Sequence, residues 1–225
     1  LRQALDSKRW NAAPRRAWAE LAQRRGLDPR RPPRVTVAKG VGVDGLVVEG
    51  ALLVVHRSRP LEHTLRRFNC FSNNDIERVG EAIGPIDELV ALVAERCNAK
   101  PGEVRLETSS GLGVNRLTPR EIVCLLRDLR RTSARRGLRV EGLLPGAGCD
   151  PGTVDRFYPR LTAGPVATSL VGKTGTLTAT DGGVSVLAGL VNTARGEVVF
   201  CVALPQAGGK LGRARQAEEA WVLEL

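Results

Sequence analysis

The chain has 225 residues, 42% of them hydrophobic, which suits one globular domain or one and a half with a real core and excludes a disordered tail. Its formal charge of +10 is carried by 29 arginines and only five lysines, spread over nearly every segment instead of gathered on one helix or interleaved with aromatics. That dispersal argues for a generally positive surface and against a nucleic-acid interface.

Taken in chain order, the run NAAPRRAWAELAQRRGL predicts a short amphipathic helix, with Pro14 near its start, Trp18, Leu21 and Ala22 on one face and Gly26 as its stop. Residues 30–34, with Pro32 and Pro33, form the best candidate linker, and 35–56 turn to β-branched residues punctuated by glycine, which predicts two or three strands. The most apolar stretch here, 45–55, is broken by Glu49 and Gly50 and is far short of the ~20 residues that span a bilayer, so no transmembrane segment is expected. No positively charged apolar leader opens the chain, so any export signal is expected to lie outside it or never to have existed.

From Ser58 the pattern becomes helical. Leu61, Leu65 and Phe68 share a face, the run stops around NCFSNND, and GPIDELVALVAERCNA resumes with Ile86, Leu89, Val90 and Val93. TPREIVCLLRDLRRTSARRG gives the clearest helix: Thr118 is the N-cap, Pro119 sits in the first turn, Glu121 stands three after the cap, and Ile122, Leu125, Leu126 and Leu129 make an apolar stripe ended by Gly137. After the glycine-rich GLLPGAGCDPGTVDRF come three strand-like runs, 167–178, 184–191 and 198–204, for which antiparallel pairing is the economical arrangement. RARQAEEAWVLEL then closes as a helix able to cover one sheet face.

Five widely spaced cysteines without a C-x-x-C pair signal neither a zinc site nor a redox dithiol, and are expected to be small buried hydrophobes. With only His56 and His63, a histidine triad or multi-histidine metal site is not expected. Any nucleophilic chemistry must use another base.

The stretch SLVGKTGTLTATDGG poses the sharpest question, because Lys173 stands between Gly172 and Gly175 in an extended-backbone composition, and a glycine inside a strand often marks close approach of another chain. A phosphate-binding loop is excluded, since Ala167 stands where its first glycine belongs and strand continues where a helix should begin. The K-T-G element of serine enzymes that also use S-x-x-K and S-x-N fits Lys173, Thr174 and Gly175 on a strand. An S-x-N, Ser72-Asn73-Asn74, lies about a hundred residues upstream at a helix break, in the expected order. Alone, SNN would read as a helix cap or turn.

On these residues the chain resembles the D-alanyl-D-alanine carboxypeptidases of the class C low-molecular-mass penicillin-binding proteins. The resemblance runs from about Ser58 to the end, through four blocks in family order: SRPLEHTLRRFNCFSNNDIE, SSGLGVNRLTP, LLPGAGCDPGTVDRF and GKTGTLTATDGGVSVLAGLVNT. It implies an α/β (α+β) penicillin-binding protein/β-lactamase-like transpeptidase fold, an antiparallel sheet flanked by helices, with 56–225 the C-terminal part of the catalytic domain and 1–55 the end of an inserted β-rich domain. It implies acyl transfer from a peptidoglycan stem peptide ending in D-Ala-D-Ala, or from a β-lactam that mimics it, to a serine, outside the cytoplasm or in the periplasm, with no cofactor, no metal and no nucleic-acid partner. The peptide would add to the K-T-G strand, which Gly175 permits by leaving room for its backbone. Lys173 would supply positive potential to the terminal carboxylate and to the Ser72 hydroxyl, and Thr174 would hydrogen-bond that carboxylate. The backbone N–H of Thr176 would be an oxyanion donor, Ser72 would relay a proton toward the leaving group, and Asn74 would orient the substrate amide.

One family element has no counterpart. No serine of the chain has a lysine three residues on: Ser7 is followed by KRW, Ser58 by RPL, Ser72 by NND and Ser169 by LVG. Two readings follow, the C-terminal portion of a longer active enzyme, or a homologue without catalysis that binds peptidoglycan or serves as a scaffold; the intact K-T-G favours the first. The first reading predicts an in-frame S-x-x-K encoded upstream of Leu1, and sequencing of the gene decides it: a reading frame that starts at Leu1 is the contrary result.

Overall fold

The structure, a computed structural model, describes residues 12–28, 30, 59–71, 74–164 and 166–225. The chain divides into two compact units, Leu1–Ser58 and Arg59–Leu225. In the first, helix α1 (Ala12–Arg25) forms where the apolar spacing predicts it, with Trp18 and Ala22 buried. Gly26 takes φ +65°, which lets Leu27 N–H turn back to the Ala22 carbonyl at 2.9 Å. The strands expected over 35–56, and the linker apart from Arg30, lie outside the described residues.

The second unit begins with three short helices, α2 (Leu61–Phe71), α3 (Ile76–Ile83) and α4 (Ile86–Cys97). The helical face expected from Leu61, Leu65 and Phe68 forms only in part, because Leu61 is exposed while the other two are half-buried. Helix α3 falls between the two expected helical runs, where the sequence pattern shows none; it is only eight residues long, and Gly84 and Pro85 end it. In α5 (Pro119–Arg135) the expected cap is present in full: Thr118 Oγ1 accepts from Glu121 N–H at 3.4 Å and Glu121 Oε2 accepts from Thr118 N–H at 2.6 Å. Two single-turn helices, α6 (Thr153–Phe157) and α7 (Pro159–Ala163), precede the sheet.

Strands β1 (Leu170–Leu177), β2 (Val184–Thr193) and β3 (Gly196–Pro205) pair antiparallel in the order β1-β2-β3. The register sets Lys173 against Ala188 and Gly175 against Val186, and Leu187 against Val202. The β2–β3 link is a two-residue turn, closed by Thr193 Oγ1, which donates to the Gly196 carbonyl at 2.8 Å and accepts from Arg195 N–H at 3.2 Å. Gly189 leaves no room for a side chain beside β1: a Cβ there would meet the Val171 carbonyl oxygen at 2.2 Å.

Both sheet faces are covered, as the pleat requires when neighbouring side chains point opposite ways. On one face Leu170, Leu187, Val191 and Phe200 pack with Val154, Tyr158, Leu161 and Val222, so α6, α7 and the last helix, α8 (Leu211–Leu223), share one core. On the other, Val171 and Leu190 pack with Val140 and Leu144, and Leu126 and Leu129 of α5 close over them. This mixed arrangement, helices on both faces of an antiparallel sheet, agrees with the expected fold class.

One ionisable group is sealed inside this core. Glu218 of α8 is fully buried, its Oε2 accepting from Tyr158 Oη at 2.5 Å and Ser185 Oγ at 3.0 Å. Burial pushes the Glu218 carboxyl above its usual range, against the opposing pull of these hydrogen bonds and of Arg215. Burial, with Glu218 next to it, also pushes the Tyr158 phenol up, so it remains a donor. A raised carboxyl stabilises the fold fully below the unfolded value of about 4.3 and loses that contribution as pH rises through its folded value. Glu218→Gln is therefore expected to flatten the fall in stability as pH rises above about 4.3, measured by denaturant melts. An unchanged pH slope would show that another group carries it.

Candidate active site

The four sequence blocks are far apart along the chain, and the structure interlocks them. The 145–147 segment of the third block lies along the outer edge of β1: Ala147 N–H donates to the Leu170 carbonyl at 2.9 Å and Gly172 N–H to the Pro145 carbonyl at 3.0 Å. Since Leu170 and Gly172 turn their peptide groups outward, the two-residue repeat of a strand turns those of Thr174 and Thr176 to the same side. Among the described residues no strand continues the pairing past Gly172, so β1 is an open edge over the K-T-G segment. A Cβ at Gly175 would make only ordinary contact, with Val186 Cβ at 3.6 Å, so no packing among the described residues requires glycine there.

The helix that leads into Ser72 is fastened to this edge by three contacts. Arg66 of α2 donates through Nη2 to Asp150 Oδ2 at 2.6 Å, and the same oxygen accepts from Gly146 N–H at 2.8 Å. Asn69 Nδ2 donates to the Leu143 carbonyl at 2.9 Å. Thr174 Oγ1 donates to Thr153 Oγ1 at 2.7 Å, and Thr153 Oγ1 donates onward to the Cys70 carbonyl at 3.3 Å. Gly152 makes the approach possible, since a Cβ there would lie 2.3 Å from the Cys70 carbonyl oxygen.

Lys173 is half-buried on this strand, and its Nζ donates to the Thr174 carbonyl. Burial is the main cause that lowers its ammonium to about 8, with the neighbouring Cys70 thiol acting the other way. Cys70 is buried and its thiol is pushed up, first by burial and then by Asp150. The interaction between Cys70 and Lys173 places the end of α2 beside the K-T-G strand.

The expected site residues fall as follows. Lys173, Thr174, Gly175 and Thr176 lie together on β1, with Thr174 buried and Thr176 exposed. Asn74 is exposed in the turn that starts α3, where its carbonyl accepts from Glu77 N–H at 3.0 Å. Ser72 lies outside the described residues, as does Asn73. Glu77 ties this turn to the second block, its carboxylate accepting from Ser110 N–H at 2.8 Å and Ser109 N–H at 3.3 Å. Burial opposes ionisation of Glu77, but the Ser110 and Ser109 hydrogen bonds outweigh it and lower the carboxyl. The second block reaches the fourth through the Arg116–Asp181 ion pair, which lowers the Asp181 carboxyl.

Sequence reasoning missed Thr153, Asp150, Arg66, Glu77 and Arg215. Thr153 and Asp150 stand in the quoted LLPGAGCDPGTVDRF block without a role, and only contact across the fold gives them one. Arg215 reaches from α8 to Thr176 Oγ1 at 3.3 Å and lies 3.6 Å over the Phe157 ring. The cysteines also depart from expectation: Cys70 is buried, Cys97, Cys124 and Cys201 are half-buried, and Cys149, in a turn, is exposed. No helix among the described residues is long and apolar enough to cross a membrane.

An open-edged K-T-G strand beside a helix running into S-N-N, on an antiparallel sheet with helices on both faces, places the molecule in the class of penicillin-binding-type peptidase folds. The chain belongs to the D-Ala-D-Ala carboxypeptidase 3 (S13) family, whose sequence profile matches residues 33–223. Among solved structures it is similar to the predatory endopeptidase Bd0816 from Bdellovibrio bacteriovorus in complex with immunity protein Bd3460, with 26% identity and a TM-score of 0.63 over 72% of this chain. It is also similar to the penicillin G acylated predatory endopeptidase Bd3459 of the same organism, with 25% identity and a TM-score of 0.62 over 72% of this chain. The matches cover 42% and 44% of those two chains. No curated protein matches.

The Thr174–Thr153–Cys70 relay generates a direct test. Thr153→Val is isosteric and removes two hydrogen bonds, and is expected to cost about 1–3 kcal/mol in a urea melt, with Thr153→Ser restoring most of it. Equal stability of the valine and serine variants would show that the hydroxyl contributes nothing.

Proposed function

We propose that the chain is the C-terminal part of the catalytic domain of a class C low-molecular-mass penicillin-binding protein, a serine-type D-Ala-D-Ala carboxypeptidase or endopeptidase acting on peptidoglycan stem peptides outside the cytoplasm. The observation that carries this reading is the open β1 edge at Lys173–Leu177 beside the end of α2. The family assignment supports it, as does the acylation of a structural relative by penicillin G.

In this reading the stem peptide pairs with the outward N–H and C=O groups of Thr174 and Thr176, adding a strand to the sheet. The Thr176 N–H lies on the side where a tetrahedral oxyanion would form. Lys173 contributes positive charge to the terminal carboxylate and steers the Ser72 hydroxyl, which passes a proton toward the leaving group, while Asn74 orients the substrate amide. The Thr174 hydroxyl serves the carboxylate by exchanging its bond to Thr153 for one to the ligand. The acylating serine belongs to an S-x-x-K segment outside these 225 residues, and residues 1–55 belong to an inserted domain.

Two measurements test the reading. A peptide ending in D-Ala-D-Ala is expected to bind the chain reversibly in calorimetric titration, with affinity lost as pH rises through about 8, where Lys173 gives up its proton. Lys173→Ala should weaken binding roughly tenfold or more and remove that pH dependence. Binding that ignores both the substitution and pH would refute the assignment. A fluorescent penicillin should leave the chain unlabelled, and a covalent adduct mapped to one of its serines would show that the nucleophile has been placed wrongly.

A further inference from the structure

Away from the K-T-G edge, helices α4 and α5 pack side by side and present two cysteines to each other. Cys97, the last residue of α4, directs its Sγ at the Glu121 carbonyl of α5, 3.6 Å away. Cys124, one turn further along α5, directs its Sγ at the Arg96 carbonyl, 3.3 Å away and one residue before Cys97. Each thiol therefore crosses to the backbone within one turn of the other cysteine. Both residues are half-buried, and neither takes part in the site described above.

We propose that Cys97 and Cys124 are a disulfide modification site, oxidised by thiol–disulfide exchange with a small or protein disulfide to form a covalent staple between α4 and α5. In the first step one cysteine thiolate attacks a sulfur of the oxidant; the oxidant's S–S bond breaks, a mixed disulfide forms and one thiolate leaves. The second cysteine then attacks the protein sulfur of the mixed disulfide, forming the Cys97–Cys124 bond and releasing the second thiolate. The two protons lost by the protein end on the two departing thiols. Two protein sulfurs are oxidised and the two oxidant sulfurs are reduced.

The surroundings bear on rate and consequence. Burial first, and then the Cys124 thiol itself, push the Cys97 thiol up to about 12, so Cys97 is a slow attacking group. The bond would close the segment between the two cysteines, which holds the SSGLGVNRL block and its serine N–H donors to Glu77. Cross-linking acts largely by restricting the unfolded chain, so the staple would stabilise the segment that fixes the turn beyond Ser72.

The test is oxidation of the folded 225-residue chain with oxidised glutathione, followed by alkylation, trypsin digestion under non-reducing conditions and mass spectrometry. Expected is a linked pair of peptides, 97–105 with 121–127, and a loss of about 2 Da at that pair relative to the free thiols. The exposed Cys149 serves as an internal control that takes glutathione alone. Cys124→Ser should leave Cys97 open to alkylation, and the thermal midpoint should rise on oxidation in the parent chain but not in this variant. If the variant fails to fold, the peptide map of the parent still decides. Cys97 and Cys124 both alkylated after oxidation, or either one held as a stable glutathione adduct, would overturn the proposal.

Discussion

The structure depends on how one strand edge is divided. Strand β1 pairs with β2 along its inner side, while among the described residues its outer side is paired with residues 145–147 only as far as Gly172. Backbone donors and acceptors away from water must find partners, so a strand whose edge stops being paired halfway must meet solvent or a ligand there. The residues at the change are Lys173, Thr174 and Gly175. A charged side chain is one of the devices that keep such an edge from pairing with another copy of the chain.

Around that edge, glycine and short polar side chains set the distances. Gly189 brings β2 against β1, and Gly152 brings α6 against the end of α2, each with a carbonyl oxygen where a Cβ would stand. Into the space so closed, Thr153 fits a hydroxyl that joins the strand at Thr174 to the helix at Cys70. Asp150 does the same at longer range for Arg66 and the 146 turn. These contacts are modest one by one, of order 1 kcal/mol, but they act on the same two elements and so fix their relative position. The partly desolvated Lys173 is the cost of that closeness, and it is what makes its charge responsive near neutral pH.

Local signals were legible wherever a local rule governs. The Thr118–Glu121 capping box, the Gly26 and Gly137 helix stops and the three strands follow from residue type and spacing, and the structure shows each of them. Helix α3 was not legible, since eight residues between a turn and Gly84-Pro85 give too few periods to separate helix from loop. The exposure of Leu61 and Cys149 was likewise hidden, because helical or loop position alone does not say which neighbour arrives to cover it.

By itself the sequence determined where the K-T-G and S-N-N patterns lie, one on a strand and one at a helix break, because both are patterns of residue type and order. It also determined the antiparallel sheet, through alternating apolar runs joined by short turns. Only the tertiary structure decided that, among the described residues, the K-T-G edge is open past Gly172, that Thr153 links it to α2, and that the Cys97 and Cys124 thiols cross between two helices. Those facts depend on which segments meet across large separations along the chain, and a contact of that kind leaves no period or spacing in the sequence to read.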